Sequence, residues 1–179
     1  MTKPVTIQNK NNSVKNILFV NPSKYKGEDI VYELARIFKN LNFILVPLCS
    51  EELSIKWDAI PNKNILNPFI KNGDMYKNID IVLVPTQKAE AFGRVAIEAQ
   101  SHGIPVIASK HTGLLESLEN SSYMIDRYKD IFSWQNALQN MCSNEVERSK
   151  IIERGFKNSK KYTTLSVIEK FEKLLESLV

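Results

Sequence analysis

Apolar residues fall into two kinds of pattern along this chain. Short runs that are apolar over nearly their whole length occupy residues 16–20, 43–46, 80–84 and 105–108. Three of them stop at a turn-forming or proline residue: Asn21-Pro22-Ser23, Pro47 and Pro85. Such runs predict strands buried on both faces. Between them the spacing turns helical. In residues 28–39 the positions Ile30, Val31, Leu34, Ile37 and Phe38 recur on one face, and Glu28 and Asp29 stand at the start, where the helix dipole favours acids. Residues 92–102 predict a second helix, closed by Gly103 in the left-handed cap position. Residues 64–66 and 122–125 predict further short strands, residues 49–61 one or two helical turns around Leu53 and Trp57, and residues 72–78 a short helix. From residue 130 onward the chain reads as helical, with breaks at Ser143-Asn144 and Tyr162-Thr163.

Wholly apolar strands alternating with amphipathic helices predict an α/β fold, a doubly wound, mainly parallel sheet with C-terminal helices. Residues 1–15 are polar and aperiodic and read as a leader or linker, leaving residues 16–179 as a single domain. Ligands of such sheets bind beyond the carboxyl ends of the strands, where strand order reverses. That rule selects the loops 21–27, 67–73, 85–93 and 109–113.

Composition narrows the class. The 179 residues are 43% hydrophobic and 25% charged, with a net charge of +4. Basic and acidic residues are interspersed, and no basic face with aromatic platforms stands out, so a nucleic-acid partner is not expected. No apolar run is long enough for a transmembrane segment, and the start lacks the apolar core of a signal peptide, so a cytoplasmic protein is expected. Cys49 and Cys142 lie far apart, without the spacing of a zinc module or disulfide scaffold. No metal site is expected.

In the first selected loop, Lys24 and Lys26 precede Gly27 and a helix start. A lysine beside helix N-terminal amides suits a phosphate; solvated lysines in a turn are the alternative. The glycine spacing fits neither a dinucleotide fingerprint nor a phosphate-binding P-loop. The third loop carries Glu90, then Phe92-Gly93 opens a helix and Glu98 follows two turns on. At ~100° per residue, Phe92, Val95, Ala96 and Ala99 share one face and Glu98 lies at its edge. An edge carboxylate there can accept two hydroxyl hydrogen bonds, as a ribose requires. The alternative is a surface ion pair with Arg94, worth about 0.3 kcal/mol. Paired carboxylates also serve glycoside hydrolases, but no further pattern supports that reading. His102 at a helix end suits the last helical carbonyls, and His111 sits in a ligand-side loop.

The run Glu90-Ala-Phe-Gly-Arg-Val-Ala-Ile-Glu98-Ala-Gln-Ser-His-Gly-Ile-Pro-Val-Ile-Ala-Ser resembles the E-x7-E signature and following strand of family 4 retaining glycosyltransferases with the GT-B fold, of the glycosyl transferases group 1. Gly113-Leu-Leu-Glu116 is similar to their G-x-P-E turn, and Lys26-Gly27 to the Lys-Gly that opens their first helix. The resemblance covers residues 17–141 and is strongest over 81–116. It implies a Rossmann-like half of a GT-B fold, the C-terminal donor-binding domain, holding a nucleotide-diphosphate sugar with no metal and no separate cofactor. Carried over, Glu90 resembles the catalytic-centre glutamate facing the donor sugar and Glu98 the ribose-binding glutamate. Lys26 resembles the diphosphate lysine. The backbone amides of Phe92 and Gly93 occupy sugar-binding positions, and Thr112 and Gly113 the diphosphate loop.

Two departures stand out. Asn21-Pro22 replaces the usual Gly-Arg, removing one cation from the diphosphate site, and Thr112-Gly113 replaces Gly-Gly. The first strand already matches the second domain of a GT-B enzyme, so an N-terminal acceptor-binding domain or subunit is expected as partner. Without it the chain is expected not to transfer sugar, since transfer needs both substrates aligned in a water-poor cleft. A non-catalytic nucleotide-sugar-binding or regulatory subunit is the other reading.

Overall fold

A computed structural model of the chain describes residues 13–47, 55–67 and 74–177. The apolar runs form strands β1 (Asn16–Val20), β2 (Asn42–Val46), β3 (Lys63–Ile65), β4 (Ile81–Val84), β5 (Val106–Ser109) and β6 (Tyr123–Ile125). They make one sheet in the order β3-β2-β1-β4-β5-β6, every neighbouring pair parallel. In register, Leu18 lies between Ile44 and Val82, and Leu83 pairs with Ile107. The four runs predicted to be buried on both faces, now β1, β2, β4 and β5, are all internal.

Six α-helices lie among the described residues: α1 (Glu28–Ile37), α2 (Arg94–Ser101), α3 (Thr112–Leu118), α4 (Ile131–Ser143), α5 (Glu145–Ser159) and α6 (Thr164–Glu176). Because strand side chains alternate, Ile17, Phe19, Ile81 and Leu83 pack with Val31 and Leu34 of α1 and Trp134 and Leu138 of α4. Leu18, Val82 and Val84 pack on the other face with Ala96 and Ala99 of α2 and Leu114 of α3. Both faces are covered, which is why the strand sequences carry no polar alternation. The two tryptophans, fully buried, each donate an indole N–H: Trp57 to Glu28 Oε1 at 2.8 Å and Trp134 to the Tyr128 carbonyl at 2.9 Å.

Several boundaries differ from the periodicity, each for a local reason. Helix α1 stops at Ile37, two residues early, and the Asn62 side-chain amide donates to the Ala35 carbonyl in its last turn and to those of Phe38 and Leu41 beyond it. Strand β4 starts after Asp80, whose carboxylate accepts the Lys15 and Asn16 amides at 3.0 and 2.8 Å. Helix α2 starts at Arg94 instead of residue 92, because Gly93 is left-handed at φ +78°. The turns expected around Trp57 are the 3-10 segment Ile55–Ala59, and within residues 72–78 the 3-10 segment Asp74–Tyr76 forms. Residues 1–12, 48–54, 68–73 and 178–179 lie outside the described ones, and with them most of the leader, Leu53 and most of the 67–73 loop.

Helix α3 was not expected; periodicity is unreadable over its seven residues, Thr112–Leu118. Helix α5 is locked by buried polar groups. Asn158 donates to Gln100 Oε1 at 3.0 Å and to the Ser117 carbonyl at 2.8 Å, and Gln100 donates to Ser121 Oγ at 2.7 Å. Helix α6 buries no residue and leaves Leu165, Val167, Ile168, Phe171, Leu174 and Leu175 exposed. Among the described residues no helix is long and apolar enough to cross a membrane.

Candidate functional site

The chain runs outward from β1 to β3, then returns to build β4 to β6 on the other side. Strand order therefore reverses between β1 and β4, and a crevice opens at their carboxyl ends. It has a volume of about 340 Å³ and is lined by Val20 at the end of β1, Asn21 and Pro85 just beyond β1 and β4, and Lys26, Glu90 and Arg94. Phe92 and Gly93 also line it. Two of the four selected loops, 21–27 and 85–93, thus meet where the fold places a ligand.

Their approach is enforced by backbone. Gly27 holds φ +85° as it leads into α1, and a Cβ there would lie 2.1 Å from the Pro85 carbonyl oxygen. Only glycine allows this contact. It brings Lys26 against the 85–93 loop, where its ammonium is paired with Glu90 Oε2. The Glu90 side chain is 17% exposed and that of Lys26 36%, so both keep an edge on the crevice. At the start of α2 no side chain caps the helix, its first turn holds no acid, and the helical bonds begin with Ala96 and Ile97 donating to the Gly93 carbonyl. The preceding amides are a ready site for anionic or hydroxyl oxygens.

Glu98 does not line the crevice; it stands on the second turn of α2 with its side chain 38% exposed. The Arg94 pair considered as its alternative role is present, with Nη2 to Oε1 at 3.3 Å. The other oxygen has a partner that the sequence did not suggest: Tyr76 donates its hydroxyl to Glu98 Oε2 at 2.9 Å. Tyr76 is 4% exposed and stacks on His102 with ring centroids 4.7 Å apart. His102 in turn places Nδ1 2.9 Å from the Glu98 carbonyl oxygen, the helix-end role expected of it. Burial and then the Glu98 carboxylate push the Tyr76 hydroxyl above its ordinary range, so it stays a donor. Twenty-two residues separate Tyr76 from Glu98, and no local spacing in the sequence links them.

Thr112 and Gly113 open α3 instead of lying in a loop, and they do not line the crevice. A Cβ on Gly113 would lie 2.0 Å from the Glu90 carbonyl oxygen and 2.3 Å from that of Ala91. Helix α3 therefore supports the backbone carrying Glu90 from behind. Phe92, 38% exposed, meets Tyr162 edge-on at 5.0 Å. His111 is the N-cap residue of α3, its ring tilted against Tyr128 at 4.8 Å. Among the described residues, no group of three or more His, Cys, Asp or Glu side chains is placed to hold a metal ion.

Comparison with known proteins bears on the family and the fold. The profile of the family described as glycosyl transferases group 1 matches residues 7–158. A D-inositol 3-phosphate glycosyltransferase of Corynebacterium kroppenstedtii is 29% identical over 107 residues, 59% of this chain and 23% of that protein. An uncharacterised glycosyltransferase of Methanocaldococcus jannaschii is 30% identical over 135 residues, covering 67% of this chain and 34% of its own length. Among solved structures, the Anabaena HepE protein in complex with UDP-glucose superposes with a TM-score of 0.77 at 21% identity, over 93% of this chain and 49% of that one. A sucrose-phosphate synthase of Thermosynechococcus elongatus gives 0.75 at 19%, over 95% and 47%. The chain thus spans about half the length of these structures and a smaller share of the curated relatives.

Proposed function

The chain belongs to the glycosyl transferases group 1 family, with the fold of the C-terminal Rossmann-like half of a GT-B glycosyltransferase, and on that premise we propose that it binds the nucleotide-diphosphate sugar for retaining glycosyl transfer. The observation that carries this is the meeting of Lys26, Glu90 and the uncapped start of α2 at the strand-order reversal, with Glu98 two turns along the same helix.

In this reading the nucleotide lies across the carboxyl ends of β1 and β4. Lys26 takes the diphosphate by charge, exchanging part of its pairing with Glu90 for phosphate oxygens. The released edge of Glu90 faces the donor sugar, accepts its hydroxyls and is the catalytic carboxylate of this half. The amides of Phe92 and Gly93 meet the sugar, Thr112 and Gly113 edge the diphosphate, and Glu98 accepts the two ribose hydroxyls. Asn21-Pro22 leaves the β1 end without a cation, which makes Lys26 and Arg94 the cationic side chains among those described along the crevice. The acceptor and the opposing wall of the cleft come from an N-terminal domain or subunit.

Asn21-Pro22, which leaves the β1 end without a cation, favours a second reading, a nucleotide-sugar-binding subunit that completes another chain without turnover of its own. Melting curves with UDP, UDP-glucose, other nucleoside diphosphates and inorganic phosphate test the donor site, because a ligand of the folded state alone raises the melting temperature by mass action. UDP is the first probe because the HepE structures hold UDP and UDP-glucose. A shift with a nucleoside diphosphate beyond that with phosphate is expected, and its absence for every nucleotide rejects the reading. Turnover on adding a separately expressed N-terminal half favours the enzyme over the subunit.

A further inference from the structure

We propose that Tyr76 is a positioning residue that sets the orientation of the Glu98 carboxylate for the ribose hydroxyls; this rests on the ribose role given to Glu98 above. A carboxylate offers about four lone-pair directions on its two oxygens. The Tyr76 hydroxyl takes one on Oε2 and Arg94 takes one on Oε1, leaving one on each oxygen for a pair of neighbouring hydroxyls. The count fits a ribose diol.

The two partners differ in firmness. The Arg94 side chain is 81% exposed and its 3.3 Å contact is a solvated helix-surface pair, which holds little. Tyr76 is buried, its ring lies against His102, and the His102 imidazole is tied to the carbonyl of Glu98 itself. The hydroxyl therefore reaches Glu98 from a ring fixed to the same residue's backbone. The terminal torsion of a glutamate is otherwise broad and roughly two-fold, so a fixed donor on one oxygen selects how the carboxylate faces the crevice rim. Burial, and then the Glu98 carboxylate, holds the Tyr76 hydroxyl above its ordinary range, so Tyr76 is the donor in this contact.

Tyr76→Phe keeps the ring and removes the hydroxyl. Affinities for UDP and for 2′,3′-dideoxy-UDP are measured by calorimetry on the wild type, Tyr76→Phe, Glu98→Ala and the double variant, with melting curves of each. Expected is an about five- to tenfold loss of UDP affinity in Tyr76→Phe, no more than about a twofold change for the dideoxy ligand, and no further loss on adding it to Glu98→Ala. Equal loss for both ligands, no loss for either, or a loss that persists in the Glu98→Ala background overturns the proposal and leaves Tyr76 a packing residue. If Glu98→Ala itself discriminates between the ligands while Tyr76→Phe does not, only the positioning role falls. If Glu98→Ala does not discriminate, the ribose role of Glu98 falls and the Tyr76 role with it. A Tyr76→Phe protein that melts too early to assay is replaced by Tyr76→Leu, which fits within the ring space and carries no hydrogen-bond donor, read against the same outcomes.

Discussion

The Lys26–Glu90 pair is the point where charge meets the crevice, and it makes a sharp expectation. An ammonium beside two phosphates acts through charge, and a bare nucleoside has none. Lys26→Ala is therefore expected to weaken UDP binding clearly while leaving uridine binding within about twofold, read by calorimetry; equal loss for both places Lys26 outside the phosphate site. Glu98 calls for a different comparison because it has two partners. As the ribose carboxylate it contributes charge-assisted hydrogen bonds worth about 1.5 to 3 kcal/mol, so Glu98→Ala should lower UDP affinity by about 10- to 100-fold. As half of an Arg94 pair it contributes a few tenths of a kcal/mol to stability, about 0.3, and nothing to affinity. Arg94→Ala separates these. It removes the ion pair and one crevice cation but leaves the Glu98 carboxylate, so the loss of UDP affinity should be smaller than with Glu98→Ala and, unlike that loss, should be the same for 2′,3′-dideoxy-UDP.

At the scale of elements, the site is held by close contacts between backbones. Helix α3 presses Gly113 onto the carbonyls of Glu90 and Ala91, and the loop after β1 presses Gly27 onto Pro85. Gly113→Ala sets two effects against each other. Alanine is favoured over glycine in a helix by about 1 kcal/mol, but a Cβ 2.0 Å from a carbonyl oxygen forces one backbone aside, and overpacking of this kind costs about 1 to 3 kcal/mol. The clash should win. The melting temperature is expected to fall by about 2 to 4 °C per kcal/mol of net loss, with weaker UDP binding because the displaced backbone carries Glu90. A more stable variant with unchanged affinity would show that α3 does not support the loop. The start of α4 adds a pH dependence. Asp130 caps it, accepting from Ser133 Oγ at 2.8 Å and from the Phe132 and Ser133 amides, and these bonds hold its carboxyl below the usual range. Its contribution is thus present above the ordinary aspartate pKa and is lost as pH falls through the lowered one. Asp130→Asn should blunt the acid limb of the stability curve without moving the neutral plateau much.

For the whole molecule, the largest unbalanced feature is the apolar side of α6, from Leu165 to Leu175, with no buried residue on the helix. In the proposed reading the acceptor side of the cleft is supplied by an N-terminal domain or subunit. The purified chain is accordingly expected to bind a nucleoside diphosphate yet transfer no sugar, whatever acceptor is offered. Glycosyl transfer by the monomeric chain would contradict this; slow hydrolysis of the donor would not, since water needs no acceptor site.

The architecture was legible along the chain, because burial on both faces leaves a local mark: runs such as 81–84 and 106–108 carry no polar residue, are rich in β-branched residues and adjoin prolines, which reads as inner strands. Sequence by itself also singled out the loops 21–27 and 85–93, which meet at the crevice, since the order of strands and helices places their carboxyl ends together. Shorter elements left no such mark, and α3, with only two turns, could not be read. What the tertiary structure alone decided are the contacts between residues far apart in the chain. Gly27 against Pro85, Gly113 against Glu90, and the Tyr76 hydroxyl on Glu98 depend on how the sheet brings separate loops to one edge. Glycine types hint at close approach without saying to what, and a tyrosine before a strand does not name its acceptor, because a hydrogen bond is specified by position in space and the sequence records only position along the chain.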